Sequence, residues 1–187
     1  MREKDLMLAG KMYNPMDNEL YEGRKRAKKL CYEYNHLDPD NQEKKNEILT
    51  KLINKGDVAI FEPNFFCDYG YNITVGESFY ANHNCTILDV NTVKIGDNVM
   101  FGPGVHIYTA THPLDAKSRN SGREYGLPVV IGDNVWVGGN AVICPNVKIG
   151  NNAVIGSGTV VTKDVPDNAL VVGNPGRIVK YIDQSEI

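Results

Sequence analysis

Nothing in this chain of 187 residues approaches the ~18 consecutive apolar residues of a membrane-spanning helix. The opening Met1-Arg2-Glu3-Lys4-Asp5 is not followed by the apolar core of a secretory leader. Cysteine is scarce and scattered. Cys31, Cys67, Cys85 and Cys144 form no C-x-x-C pair, which speaks against a disulfide or zinc framework and for reduced, structural thiols. A cationic excess is missing as well: 20 Lys and Arg face 23 Asp and Glu, for a formal charge of −3, so no nucleic-acid partner is expected. There is no glycine-rich P-loop and no dinucleotide fingerprint. These absences leave a soluble, cytoplasmic protein with one well-buried core and no membrane partner as the expectation.

What the chain does have is a repeat. Residues 131–166 read IGDNVW VGGNAV ICPNVK IGNNAV IGSGTV VTKDVP. Each unit opens on an aliphatic residue, Ile131, Val137, Ile143, Ile149, Ile155 and Val161 in turn. Its fifth position is small or β-branched: Val135, Ala141, Val147, Ala153, Thr159, Val165. Neither a helical period nor simple alternation produces this pattern. A short strand followed by a sharp corner does, with Gly132, Gly138, Gly150 and Gly156 supplying corner chemistry. One unit cannot bury its aliphatic side chain alone, whereas stacked coils form a continuous apolar column, so the fold class is mainly β, a parallel β-helix of hexapeptide repeats.

Three departures from the repeat organise the rest. Residues 1–56 form an N-terminal helical segment, a hairpin whose first helix is capped by Asp17 or Asn18 and buries Leu20, Ala27, Leu30, Cys31 and Tyr34. Arg24, Lys25, Arg26, Lys28 and Lys29 fall largely on its other face, read as solvated. The second helix starts near Asp38-Pro39-Asp40, buries Ile48, Leu49, Leu52 and Ile53, and stops at Lys55-Gly56. The β-helix then occupies residues 57–166, with the count disturbed at Asn91-Thr92, the mark of a wider corner. Within it the hexads vanish over 108–130 in favour of an extruded polar loop carrying His112, Arg119, Arg123, Glu124 and Tyr125, and long loops in compact folds tend to be functional. Residues 167–187 read as a C-terminal cap over the last coil.

The hexapeptide array, the segment Ala110-Thr111-His112-Pro113-Leu114-Asp115, the run from Ile131 through Trp136 to Gly139, the Val161-Thr162-Lys163-Asp164 end and Gly173-Asn174-Pro175-Gly176-Arg177 together resemble the maltose and galactoside O-acetyltransferases. The opening Met7 to Asp17 is similar to the helical head of the maltose branch. The resemblance implies a left-handed coil, against the usual crossover hand. It also implies a homotrimer with sites between subunits, acetyl-CoA as co-substrate, and direct transfer of the acetyl group to a sugar hydroxyl.

That chemistry needs a base to remove the hydroxyl proton, and neutral imidazole suits it. The resemblance assigns the role to His112, with Glu124 as the orienter of its ring and Asn82 or a backbone amide as donor to the oxyanion. Acceptor-site candidates are Asn82 and Tyr80 within Tyr80-Ala81-Asn82-His83-Asn84, together with Asp17, Asp89 and Asp68, the last standing where some relatives carry serine. For the cofactor, Trp136 flanks the pantetheine arm, and Gly102, Gly138 and Gly139 allow close backbone approach. Ser157, Thr162 and Lys163 lie farther along the same stack, and Arg177 and Lys180 meet the nucleotide phosphates. No metal is expected. The alternatives are an acetyltransferase of an amine or antibiotic, a zinc enzyme using His83, His106 and His112, and a catalytically idle scaffold.

Overall fold

The computed structural model describes residues 1–185; residues 186 and 187, the end of the expected cap, lie outside the described residues. Each hexad supplies one short strand and one corner, and three strands complete a turn. The chain passes in order through three parallel faces. The first is built from Asn54–Lys55, Ile73–Val75, Val93–Ile95, Val129–Ile131 and Lys148–Ile149. The second begins with Ala59–Phe61, Phe79–Ala81, Met100–Phe101, Trp136–Val137 and Val154–Ile155, and the third with Phe66–Cys67, Thr86–Leu88, His106–Tyr108, Val142–Ile143 and Val160–Val161. Equivalent residues of successive regular coils pair in parallel register, as Trp136 does with Val154 and Val142 with Val160.

The two inward positions predicted for each hexad are the core. All six opening aliphatics and all six fifth-position residues, Thr159 included, are buried. Each enclosed Val or Ile side chain contributes roughly 1.5–3 kcal/mol relative to exposure, so the column is the main stabilising element.

From Ser78 onward, corners between the first and second faces put one residue in the left-handed region; Ser78 fills it in the first of these and asparagine in the rest, Asn98, Asn134, Asn152 and Asn168 having φ of 55°, 57°, 57° and 60°. Asparagine tolerates this conformation and adds a ladder, since each of the first three donates its side-chain amide to the next at 3.3, 3.0 and 3.0 Å.

Corners between the third and first faces are looser, and here the coil departs from strict hexads. The disturbance at Asn91-Thr92 is one such corner. The Asn91 side-chain amide donates to Gly126 O at 2.9 Å and to Met7 O at 3.3 Å, binding the N-terminal segment and the base of the extruded loop to the coil.

Three helices precede the solenoid: α1 (Glu3–Leu8), α2 (Asn18–Asn35) and α3 (Gln42–Leu52). Asp17 caps α2 by accepting from the Glu19 amide at 3.0 Å. The second helix begins later than Asp38-Pro39-Asp40, because Asn41 supplies its cap to the Lys44 amide. It also ends earlier: Asn54-Lys55 already pairs with Thr74-Val75 as the first rung. The helix α2 packs on strand Phe66–Cys67, where Cys31 Sγ lies 3.8 Å from Cys67 Sγ, both thiols free. At the other end, Ala169–Val172 continues the second face in parallel, and Arg177–Tyr181 folds back antiparallel along it. That outer strand covers the edge the last coil leaves open.

Candidate active site

The extruded loop leaves at a third-to-first corner through a short antiparallel neck, with Ala110 opposite Gly126 and Thr111 opposite Tyr125. This register explains why two residues twelve apart in sequence meet: His112 follows the outgoing strand and Glu124 precedes the returning one, so they face each other at the top of the neck. His112 Nε2 lies 3.7 Å from Glu124 Oε2, with the imidazole 54% exposed and the carboxylate 18%. The distance exceeds a hydrogen bond, so the two groups face each other across a gap. Beyond the neck, Asp115 caps a single helical turn, Ala116–Arg119, and Arg119 donates to Pro113 O at 3.1 Å and Leu114 O at 2.8 Å. These bonds hold the backbone that follows His112.

Glu124 itself is anchored from the N-terminal segment. Tyr13, fully buried, donates its phenol to Glu124 Oε1, and the two backbones bridge in both directions, Tyr13 N to Glu124 O at 3.0 Å and Glu124 N to Tyr13 O at 3.3 Å. One residue earlier in the loop, Arg123 pairs with Glu3 at 3.2 Å.

Asp68 sits at the third-to-first corner of the first coil. Burial pushes its carboxyl up to about 6, the nearby Glu124 charge adds to this, and Arg24 and Lys28 oppose it. Asp68 thus lies within electrostatic reach of Glu124, the carboxylate that faces His112. Arg24 is not simply part of a solvated basic face: its guanidinium is half-buried and donates to the Tyr69 hydroxyl at 2.7 Å and to Pro15 O. Asp17 stands at the start of the same helix, its carboxylate engaged as the cap.

Asp89 does not belong with the acceptor-site candidates. It is fully buried, and its carboxylate accepts from the amides of Asp68 at 3.0 Å, Tyr69 at 2.8 Å and Asn72 at 3.3 Å. Its role is to close the turn that presents Asp68. Burial pushes it up to about 7, the Tyr69 and Asn72 amides opposing the shift and the Asp68 charge adding to it.

The remaining candidates occupy other edges. Asn82, Gly102 and Gly138 stack at the corner between second and third faces, each amide bonded to the coil above. Gly139 and Ser157 follow at the next position of that corner. A Cβ on Gly102 would fall 2.5 Å from Gly139 N, and one on Gly138 2.6 Å from Ser157 N, so only glycine lets these rungs approach. Beside them on the outer second face stand Tyr80, Met100 and Trp136 in register. Trp136 is 53% exposed, which removes it from the packing role a lone tryptophan often has. Asn82 Oδ1 accepts from the His83 amide at 2.7 Å, so the NH2 is the group this side chain can offer as a donor.

Thr162 and Lys163 are not on the glycine stack, contrary to the order along the chain. They follow strand Val160–Val161 at the third-to-first corner, where they line a cleft of about 300 Å3 with Gly176 and Arg177. Lys180 lies on the outer strand opposite Leu170. The three histidines are likewise dispersed: His83 at a second-to-third corner, His106 on the third face, His112 in the loop.

A single chain therefore brings His112, Glu124 and Asp68 together on one edge and places Asn82, Gly102, Trp136, Gly138, Gly139 and Ser157 along another. Sequence reasoning missed Tyr13 and undervalued Arg24. Tyr13 lies within the Met7 to Asp17 run, but no periodicity marks it, and only the folded chain sets it against Glu124.

The family model for the maltose acetyltransferase hexapeptide capping motif matches residues 6–56, and that for the bacterial transferase hexapeptide (six repeats) matches residues 128–163. The galactoside O-acetyltransferase of Escherichia coli K12 is 42% identical over 95% of this chain and 88% of its own length. Among solved structures, a maltose O-acetyltransferase from Clostridium difficile 630 superposes with a TM-score of 0.97 at 52% identity, covering 98% of this chain and 99% of that one. A galactoside acetyltransferase in complex with coenzyme A superposes at 0.95 with 42% identity, covering 98% and 92%. With its hexapeptide solenoid, helical cap and histidine-bearing loop matched over nearly the whole length, the chain belongs to the maltose/galactoside O-acetyltransferase family of hexapeptide-repeat acetyltransferases.

Proposed function

We propose that this acetyltransferase moves the acetyl group of acetyl-CoA to a hydroxyl of a sugar, maltose, glucose or a related glycoside, with His112 as general base. The observation that carries the reading is the pairing at the loop neck, an exposed imidazole with its Nε2 3.7 Å from a held carboxylate. An acceptor hydroxyl bound against the exposed imidazole gives its proton to it as its oxygen attacks the thioester carbonyl. The Glu124 charge stabilises the imidazolium. The tetrahedral intermediate collapses, the C–S bond breaks, and the thiolate takes the proton back to leave as the free thiol. Asn82, whose Oδ1 is engaged by the His83 amide, is the oxyanion donor in this scheme through its NH2. Asp68 and Glu124 offer acceptor oxygens to sugar hydroxyls, and no step calls for a metal.

The separation of the two residue sets supports a homotrimer in which one subunit's loop meets the second-to-third corner of its neighbour. The outward residues fit such packing: Ile60, Met100 and Trp136 are exposed in one row on the second face, and Phe66 on the third, whereas the outward row of the first face is mostly polar, Thr74, Lys94, Val130 and Lys148. Contiguous exposed apolar surface of this kind marks an interface. Acetyl-CoA would then lie along the glycine stack, its arm against Trp136 and its phosphates toward Lys163, Arg177 and Lys180 at the capped end. The cytoplasm, where acetyl-CoA and free thiols coexist, is the proposed compartment.

The test is a panel of sugars and amines with acetyl-CoA, followed by free-thiol release, using the wild type and His112→Ala. Sugar-dependent release that falls by ~10²–10⁴-fold in the variant, with CoA affinity kept, is expected. Turnover with amines alone would move the acceptor to another class, and a wild-type rate in the variant would end the mechanism.

A further inference from the structure

The catalytic loop is long, polar and exposed from Leu114 to Arg123, and a glutamate at the end of such a loop would ordinarily sample several rotamers in water. Glu124 does not have that freedom. Its Oε1 receives the Tyr13 phenol, its backbone is bridged on both sides to Tyr13, and only Oε2 is turned toward His112. The phenol is itself immobile: Tyr13 is fully buried in a small apolar cluster with Met7, Leu20, Tyr69 and Val90. Burial and the adjacent Glu124 charge both push that phenol far above its usual range, so it stays a donor at any working pH.

We propose that Tyr13 is a positioning residue for acetyl transfer: by holding Glu124 Oε1 it aims Oε2 at His112 and so makes the N-terminal segment part of the catalytic apparatus. The inference rests on the assignment of His112 as base. Its physical content is preorganisation, since a charge that must be collected from solvent at each turnover stabilises the imidazolium less than one already in place. The neighbouring contacts serve the same end, with Glu3 on Arg123 and Asn91 joining Met7 to Gly126 at the loop base.

The experiment measures thiol release with acetyl-CoA and the best acceptor for wild type, Tyr13→Phe, Glu124→Gln, the double variant, His112→Ala and Leu20→Ala. Tyr13→Phe removes one oxygen from a ring that remains packed. It is expected to lower kcat about tenfold or more with the KM for acetyl-CoA nearly unchanged. In the Glu124→Gln background it should add less than about twofold, because the two act as one unit. Full kcat in Tyr13→Phe, or an undiminished further loss on top of Glu124→Gln, overturns the proposal. So does an equal loss in Leu20→Ala, which loosens the same cluster without touching Glu124. Loss in His112→Ala and Glu124→Gln with none in Tyr13→Phe overturns this inference alone, whereas undiminished turnover in His112→Ala overturns the base assignment beneath it.

Discussion

Replacing Asp89 with Asn should flatten the pH dependence of stability between pH 5 and pH 8. In the unfolded chain this carboxyl titrates near its ordinary value of 3.8, whereas burial in the folded coil pushes it up to about 7. Between those values the folded protein keeps a proton that the unfolded chain has released, so stability is highest below the window and falls as pH rises through it. Integrated from pH 5 to pH 8, the loss from Asp89 is about 3 kcal/mol. Asp68, raised to about 6, adds roughly 1 kcal/mol in the same direction. Asparagine keeps the oxygen that accepts from the Asp68 and Tyr69 amides and loses the contact with the Asn72 amide, a cost of about 1 kcal/mol that does not vary with pH. Exposed carboxyls held below their usual range, such as Glu47 at about 2 beside Lys51 and Lys44, titrate below the window and are common to both chains. Urea denaturation at one protein concentration, followed by circular dichroism at pH 5 and pH 8, reads the difference of differences. The variant should gain about 3 kcal/mol on the wild type across that interval. Parallel stability in the two chains, or a shift in the wild type's favour, would refute the assignment of Asp89 as a buried, strained carboxylate.

The asparagine ladder makes a second claim: Asn134→Ala should cost about 1–3 kcal/mol, combining a left-handed φ of 57° with two lost amide bonds. Asn134→Gly should recover the backbone part, and equal denaturation midpoints for the two variants would show that the corner conformation carries no strain. At the capped end, Lys163→Ala and Arg177→Ala should each weaken CoA binding by about three- to tenfold with a reduced salt dependence, read by calorimetry. An unchanged affinity in both would remove the nucleotide from that cleft.

The legible part of this protein is the part with a short period. Ile131, Val137 and their successors recur every sixth residue, and because each unit stacks on the one three before it, the same few side chains predict core and corners. Trp136 was legible as an outward residue only after the register was known, since its exposure follows from its position beside Val137 in the strand. Thr162 and Lys163 show where linear order misleads. They follow Ser157 in the chain, yet one short strand intervenes and carries them around to the next edge of the solenoid. Asp89 misleads differently, because an aspartate in a break of register looks like a site residue until its oxygens are found on three backbone amides.

Sequence by itself determined the solenoid, the place where it opens into a loop, and the histidine that loop carries, because each is a local property or a breach of one. The tertiary structure alone decided which groups meet that histidine. The neck register sets Glu124 across from His112, a corner of the first coil brings Asp68 to the same edge, and Tyr13 reaches Glu124 across 111 residues of chain. Contacts of that span have no signature in spacing. They exist because the N-terminal helices must cover the open end of the first coil, and in doing so lay a buried phenol against the base of the loop.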